Sequence, residues 1–171
     1  MHPAPGTRGI LIGDRYRVPG TLRRTGLIDA IDVESDQGEA ACRVVGVPGD
    51  AARIDQWEDA WLAAQGPARL PRLREIVRDD DGAHWAVLAP SVAVEAPLPP
   101  GAREAARELG AALAEAGLDV RDVAREMLAV DGNGALAIDG VVWLGGDLSP
   151  RAAGRALADL LPAGEPPESE G

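Results

Sequence analysis

The hydrophobic pattern changes period about halfway along this 171-residue chain. As far as Ala89 the apolar positions alternate or fall in short β-branched blocks: RYRV (15–18), GLIDAIDV (26–33), EAACRVVGV (39–47), RLREIV (72–77) and HWAVLA (84–89). Such runs predict strands. Turn chemistry separates them at Pro19-Gly20 and Asp36-Gln37-Gly38, and RDDDGA (78–83) is placed to close a hairpin. One helix interrupts the series. Ile54, Trp57 and Trp61 share a helical face between Asp50, a candidate N-cap, and Gly66 at its end.

After the Pro-rich stretch PSVAVEAPLPPG (90–101), taken as a connector, the period becomes helical. Ala102, Ala105, Ala106, Leu109, Ala112, Leu113 and Ala116 line one face of a helix that Pro100 opens and Gly117 stops. A shorter helix starts at Ser149-Pro150 and ends at Pro162. Between the two lies GLDVRDVAREMLAVDGNGALAIDG (117–140). Val120, Val123, Ala124, Met127 and Leu128 fit a helix capped by Asp119, and DGNG (131–134) fits a hairpin turn. Strands, a helix, strands and then mostly helix make an α+β protein in two parts, 14–90 and 91–162, with tails at 1–13 and 163–171.

Composition narrows the chemistry. Phe is absent and Tyr occurs once, so the core rests on aliphatics and four tryptophans. The formal net charge of −11 repels phosphate backbones and anionic headgroups, so neither nucleic acid nor membrane is expected as a partner. The N-terminus has no apolar signal region and no apolar run is long enough to span a bilayer, which points to the cytoplasm. A single cysteine, Cys42, excludes an intramolecular disulfide. All 17 basic residues are arginine. Without lysine, Schiff-base chemistry and lysine-based phosphate binding are excluded in their usual form.

In order and spacing, residues 14–144 resemble the eukaryotic-like serine/threonine protein kinases of bacteria. GDRYRV, GLIDAIDV and AACR look like that family's first three strands, residues 50–65 like its αC helix, and LPRLREIVRDDDGAHWAVLA like strands four and five leading to the hinge. ELGAALAEAGLDVRDVAREMLAVDGNGALAIDG resembles the helix, catalytic loop and hairpin that follow. The resemblance implies a protein-kinase-like fold: a five-stranded N-lobe sheet with αC, and a minimal, mostly helical C-terminal part. After VVWLGG no activation segment fits before SPRAAGRALADLL.

Carried over residue by residue, the resemblance implies lost chemistry. TLRRTG stands in place of the glycine-rich loop, with only Gly26 retained and Arg23 and Arg24 at the permissive positions. Arg43 occupies the place of the third-strand lysine, and Glu58 matches the αC glutamate that would pair with it; a structural strut is favoured over a phosphate grip. Asp122 matches the residue that takes the substrate proton. The lysine two positions on is Ala124, and the metal-binding asparagine is Met127, which offers no hard oxygen. The aspartate of the second metal-binding motif falls in register on Gly140, with Asp139 one place early. The resemblance thus implies a pseudokinase without cofactor, acting through a protein partner or a second copy of itself. An ATP sensor using Gly26 and Arg43 is the alternative, and a divergent active kinase using Asp122 a third reading.

Structural readings stand beside these. Asp122 also fits a helix-surface acid. DGNG departs from a calcium loop at Ala135 and Val142, and His84 has no second ligand nearby, so no metal site is expected. Trp57 and Trp61 are candidate core residues, and also candidates for a partner surface if the reduced second part leaves their helix uncovered.

Overall fold

The short alternating runs in the first part of the chain pair antiparallel and build a single sheet. The structure is a computed structural model that describes residues 10–18, 27–35 and 38–162. The chain divides into two units: Met1–Ile54 with Arg72–Pro90, and Asp55–Pro71 with Ser91–Gly171.

In the first unit, β1 (Ile10–Ile12), β2 (Tyr16–Val18), β3 (Ile28–Asp32), β4 (Ala40–Val47), β5 (Leu73–Arg78) and β6 (His84–Leu88) form an antiparallel sheet in the order β1-β2-β3-β4-β6-β5. Six strands replace the five expected. The additional one, β1, lies in the stretch taken for a tail and pairs Ile10 with Val18 and Ile12 with Tyr16. Gly13 and Asp14 turn it back with φ of 61° and 60°, the geometry of a primed hairpin turn, which glycine and aspartate tolerate. The β5–β6 turn forms at the anticipated place, with Asp79 N donating to Ala83 O at 2.7 Å.

The sheet curls. Although β2 and β5 are far apart in strand order, the Tyr16 hydroxyl donates to Glu75 and the Arg15 guanidinium lies 3.7 Å from the same carboxylate. Inside the curl pack Ile12, Tyr16, Val18, Cys42, Val44 and Trp85. Because strand side chains alternate, Arg43 points to the face opposite Cys42 and Val44.

Helix α1 (Ala51–Ala64) is capped by Asp50, whose Oδ1 accepts the Arg53 N–H at 2.9 Å. From Asp55 onward its residues cluster with the second unit rather than with the sheet to which the sequence assigned them. The reason lies in the tryptophans. Trp57 stacks at 5.2 Å on Trp61 and at 5.3 Å on Trp143. Its Nε1–H donates to Val142 O at 2.8 Å, and that of Trp61 to Pro71 O at 3.0 Å.

The second unit also holds α2 (Ala102–Ala116), α3 (Pro150–Ala158) and a small antiparallel sheet, β7 (Ala93–Val94), β8 (Leu128–Asp131) and β9 (Leu136–Ile138), in the order β7-β8-β9. The 90–101 stretch is thus not only a connector, since it supplies β7. Gly117, at φ 88°, ends α2 with its own N–H on Ala114 O and the Leu118 N–H on Leu113 O, a Schellman closure. Helices α2 and α3 meet at glycines. A Cβ on Gly154 would lie 2.5 Å from Arg107 O, and one on Gly110 would lie 2.6 Å from Ala153 O. Among the described residues, no helix is long and apolar enough to cross a membrane.

Candidate functional site

The stretch that carried the candidate chemistry is neither a continuous helix nor an open loop. Two single 3-10 turns, Val120–Asp122 and Arg125–Met127, are separated by extended backbone at Val123 and Ala124. A nine-residue α-helix is marginal by itself, and here tertiary pairing competes with it. Gly145 N donates to Gly117 O at 3.1 Å and Asp119 N to Trp143 O at 2.9 Å, and Leu118 and Leu144 form an antiparallel bridge. Asp119 is the anticipated cap, but of a 3-10 turn: its Oδ1 accepts the Arg121 N–H at 3.0 Å. The Arg121 guanidinium, 3.1 Å from Asp119, holds that carboxyl below the usual carboxylate range.

Asp122 is exposed, and its Oδ2 accepts the Trp143 backbone N–H at 2.9 Å. This ties the 3-10 turn to the 143–145 strand-like segment. No residue type could have announced it, because the donor is a main-chain amide.

Met127 and Gly140, the two positions that the resemblance equates with metal ligands, come into contact. A Cβ built on Gly140 would lie 2.8 Å from Met127 Cγ and 3.0 Å from its Sδ, with Cε nearer still. The thioether also reaches back to the start of its own turn, accepting the Ala124 N–H at 3.2 Å. This is the role that a glutamate or glutamine plays in a capping box. Met127 O accepts the Asp139 N–H at 2.6 Å, extending the β8–β9 pairing by one residue. The Asp139 carboxylate accepts the Ser91 hydroxyl at 2.7 Å; Ser91 was not anticipated as part of the site. A hard dication needs oxygen ligands, and positions 127 and 140 contribute a thioether and no side chain.

The remaining candidates are placed elsewhere. Arg43, buried on β4 in the first unit, donates from Nε to Ala89 O at 3.1 Å, bracing the end of β6. Glu58 is half-buried on α1 in the second unit. Gly26, Arg23 and Arg24 lie outside the described residues. Trp57 and Trp61 are 2% and 0% exposed, so they are core residues and present no surface to a partner. Asp131, the first residue of DGNG, spends Oδ1 on the N–H groups of Asn133 and Ala135 at 2.9 and 3.0 Å. Chiefly the Ala135 amide holds its carboxyl below the usual range. DGNG is accordingly a side-chain-braced hairpin turn.

No protein-family model matches the chain, and no curated protein matches it.

Proposed function

We propose that this chain is a kinase-derived domain without phosphoryl-transfer chemistry that works by binding a protein partner. The observation that carries this reading is the contact between Met127 and Gly140. In the kinase resemblance these residues stand in the places of two oxygen ligands of the catalytic metals, and their apolar contact leaves no room for a carboxylate at 140. Phosphoryl transfer relies on charge neutralisation and positioning, so losing both ligands together with every lysine removes it.

Element order supports the same reading. Strands β2 to β4, α1, β5 and β6 are followed by α2, the 3-10 turns and the β8–β9 hairpin, in the succession that the resemblance implies. Support for a binding role comes from the surface: Val92, Val94 and Leu98 are exposed apolar residues within one short stretch.

Two measurements test the proposal. In a thermal-shift titration, millimolar ATP with and without Mg²⁺ leaves the midpoint unmoved, and the purified protein transfers no labelled phosphate to itself. A shifted midpoint would favour the nucleotide-sensor reading. Light scattering with an affinity pull-down tests the binding role, and a strict monomer that retains no partner would sink it.

A further inference from the structure

We propose that Met127 is a modification site for peroxides, and that its sulfoxide releases the junction between the Arg125–Met127 turn and the end of β9. The inference does not depend on kinase ancestry. It rests on what the thioether does in this fold. Met127 is half-buried, so a small oxidant can reach it. Its Sδ accepts the Ala124 N–H at 3.2 Å, and its Cγ and Sδ lie against Gly140, 2.8 and 3.0 Å from the place a Cβ would take. The same residue's carbonyl accepts the Asp139 N–H at 2.6 Å. One side chain thus caps a turn, covers a buried glycine and adjoins the last bond of the hairpin.

In the reaction, the Sδ lone pair attacks one oxygen of a peroxide. The S–O bond forms as the O–O bond breaks, sulfur loses two electrons, and the peroxide is reduced to water or, for an organic hydroperoxide, to an alcohol. The product is polar where the thioether was apolar. Its acceptor is now the oxygen rather than the sulfur, so the Ala124 N–H keeps a partner only if the side chain rotates. Rotation uncovers Gly140. Solvation of the sulfoxide pulls in the same direction, away from the glycine. Thiol-dependent sulfoxide reductases reverse the step, so the change is reversible.

The test uses the intact protein and dilute hydrogen peroxide at neutral pH. Tandem mass spectrometry reads Met127 separately from Met1, and amide hydrogen exchange is followed over residues 118–142. The expected result is Met127 sulfoxide with a several-fold rise in exchange at 124–140, returned to the starting rate by methionine sulfoxide reductase and a thiol. The variant M127L, which keeps Cys42, should show no rise on peroxide treatment. Three results would overturn the proposal: sulfoxide at Met127 with exchange unchanged, no oxidation of Met127 under conditions that oxidise free methionine, or the same rise in M127L.

Discussion

The Asp122 carboxylate accepts the Trp143 backbone N–H at 2.9 Å, so the residue that resembles a catalytic base holds two chain segments together. Asparagine keeps an acceptor oxygen at that position and alanine does not. D122A should lose about 1 kcal/mol in urea unfolding and D122N less than about 0.5 kcal/mol, the net worth of one partly exposed hydrogen bond. Equal losses from both variants would assign the effect to charge instead.

Contact between Met127 and Gly140 makes a different prediction. A methyl at 140 forces the thioether aside and with it the Ala124 N–H bond, but a flexible side chain yields more cheaply than backbone. G140A should therefore cost about 1 kcal/mol, the low end of overpacking. M127A should relieve most of that penalty, giving a coupling of opposite sign in a double-mutant cycle. Additive losses would show that the two residues do not press on one another.

At the crossing of α2 and α3 the obstruction is backbone, and backbone does not yield cheaply. Alanine for glycine gains about 1 kcal/mol of helix propensity. Against that, a Cβ on Gly154 would sit 2.5 Å from Arg107 O, and overpacking costs about 1–3 kcal/mol. Close approach wins, so G154A and G110A should each lower the thermal midpoint although both improve the isolated helix.

Acid sensitivity follows from Arg15 and Asp32. Two contacts of 2.8 Å join them, and the Asp32 side chain is 6% exposed. The guanidinium holds the Asp32 carboxyl below its ordinary range, whereas in the unfolded chain it titrates near ~3.9. The unfolded state therefore takes up protons first as pH falls. The stabilisation is complete above the ordinary value and is lost as pH falls through the lowered one. R15Q should destabilise the protein at neutral pH by leaving Asp32 without its charged partner, and the gap to the parent protein should narrow towards pH ~3. Denaturant midpoints at both pH values check this.

Tyr16, the only tyrosine, gives a clean optical signal. Burial first, and then its hydrogen bond to Glu75, push the phenol above its ordinary value, near ~10. A raised phenol favours the neutral form in the folded state, so this stability is present below the ordinary value and lost as pH rises through the raised one. Phenolate absorbance in the native protein should appear later in an alkaline titration than in urea. Coincident curves would place the hydroxyl in water.

Local order was legible where neighbouring residues decide it. The Asp50 cap, the Ser149 cap, whose Oγ accepts the Ala152 N–H at 3.1 Å, the Gly117 stop and the turns at 79–83 and 131–134 each follow from one residue type satisfying nearby backbone. Apolar period was enough for the strands from β2 to β6 and for all three helices. It misled at Val120–Leu128, where a helical period meets a chain already paired through Asp119 and Leu118, and at 90–101, where proline hid a strand of two residues.

What the sequence determined alone is the strands from β2 to β6 and the helices α1 to α3, the absence of lysine and the lack of oxygen ligands at 127 and 140, because these depend on residue identity and short-range period. Tertiary structure decided the curl that brings Tyr16 to Glu75, the burial of Trp57 and Trp61, and the partners of Asp122 and Asp139. Those depend on which main-chain amides and distant side chains a fold brings within hydrogen-bond reach, and a backbone N–H such as that of Trp143 leaves no mark in the residue code.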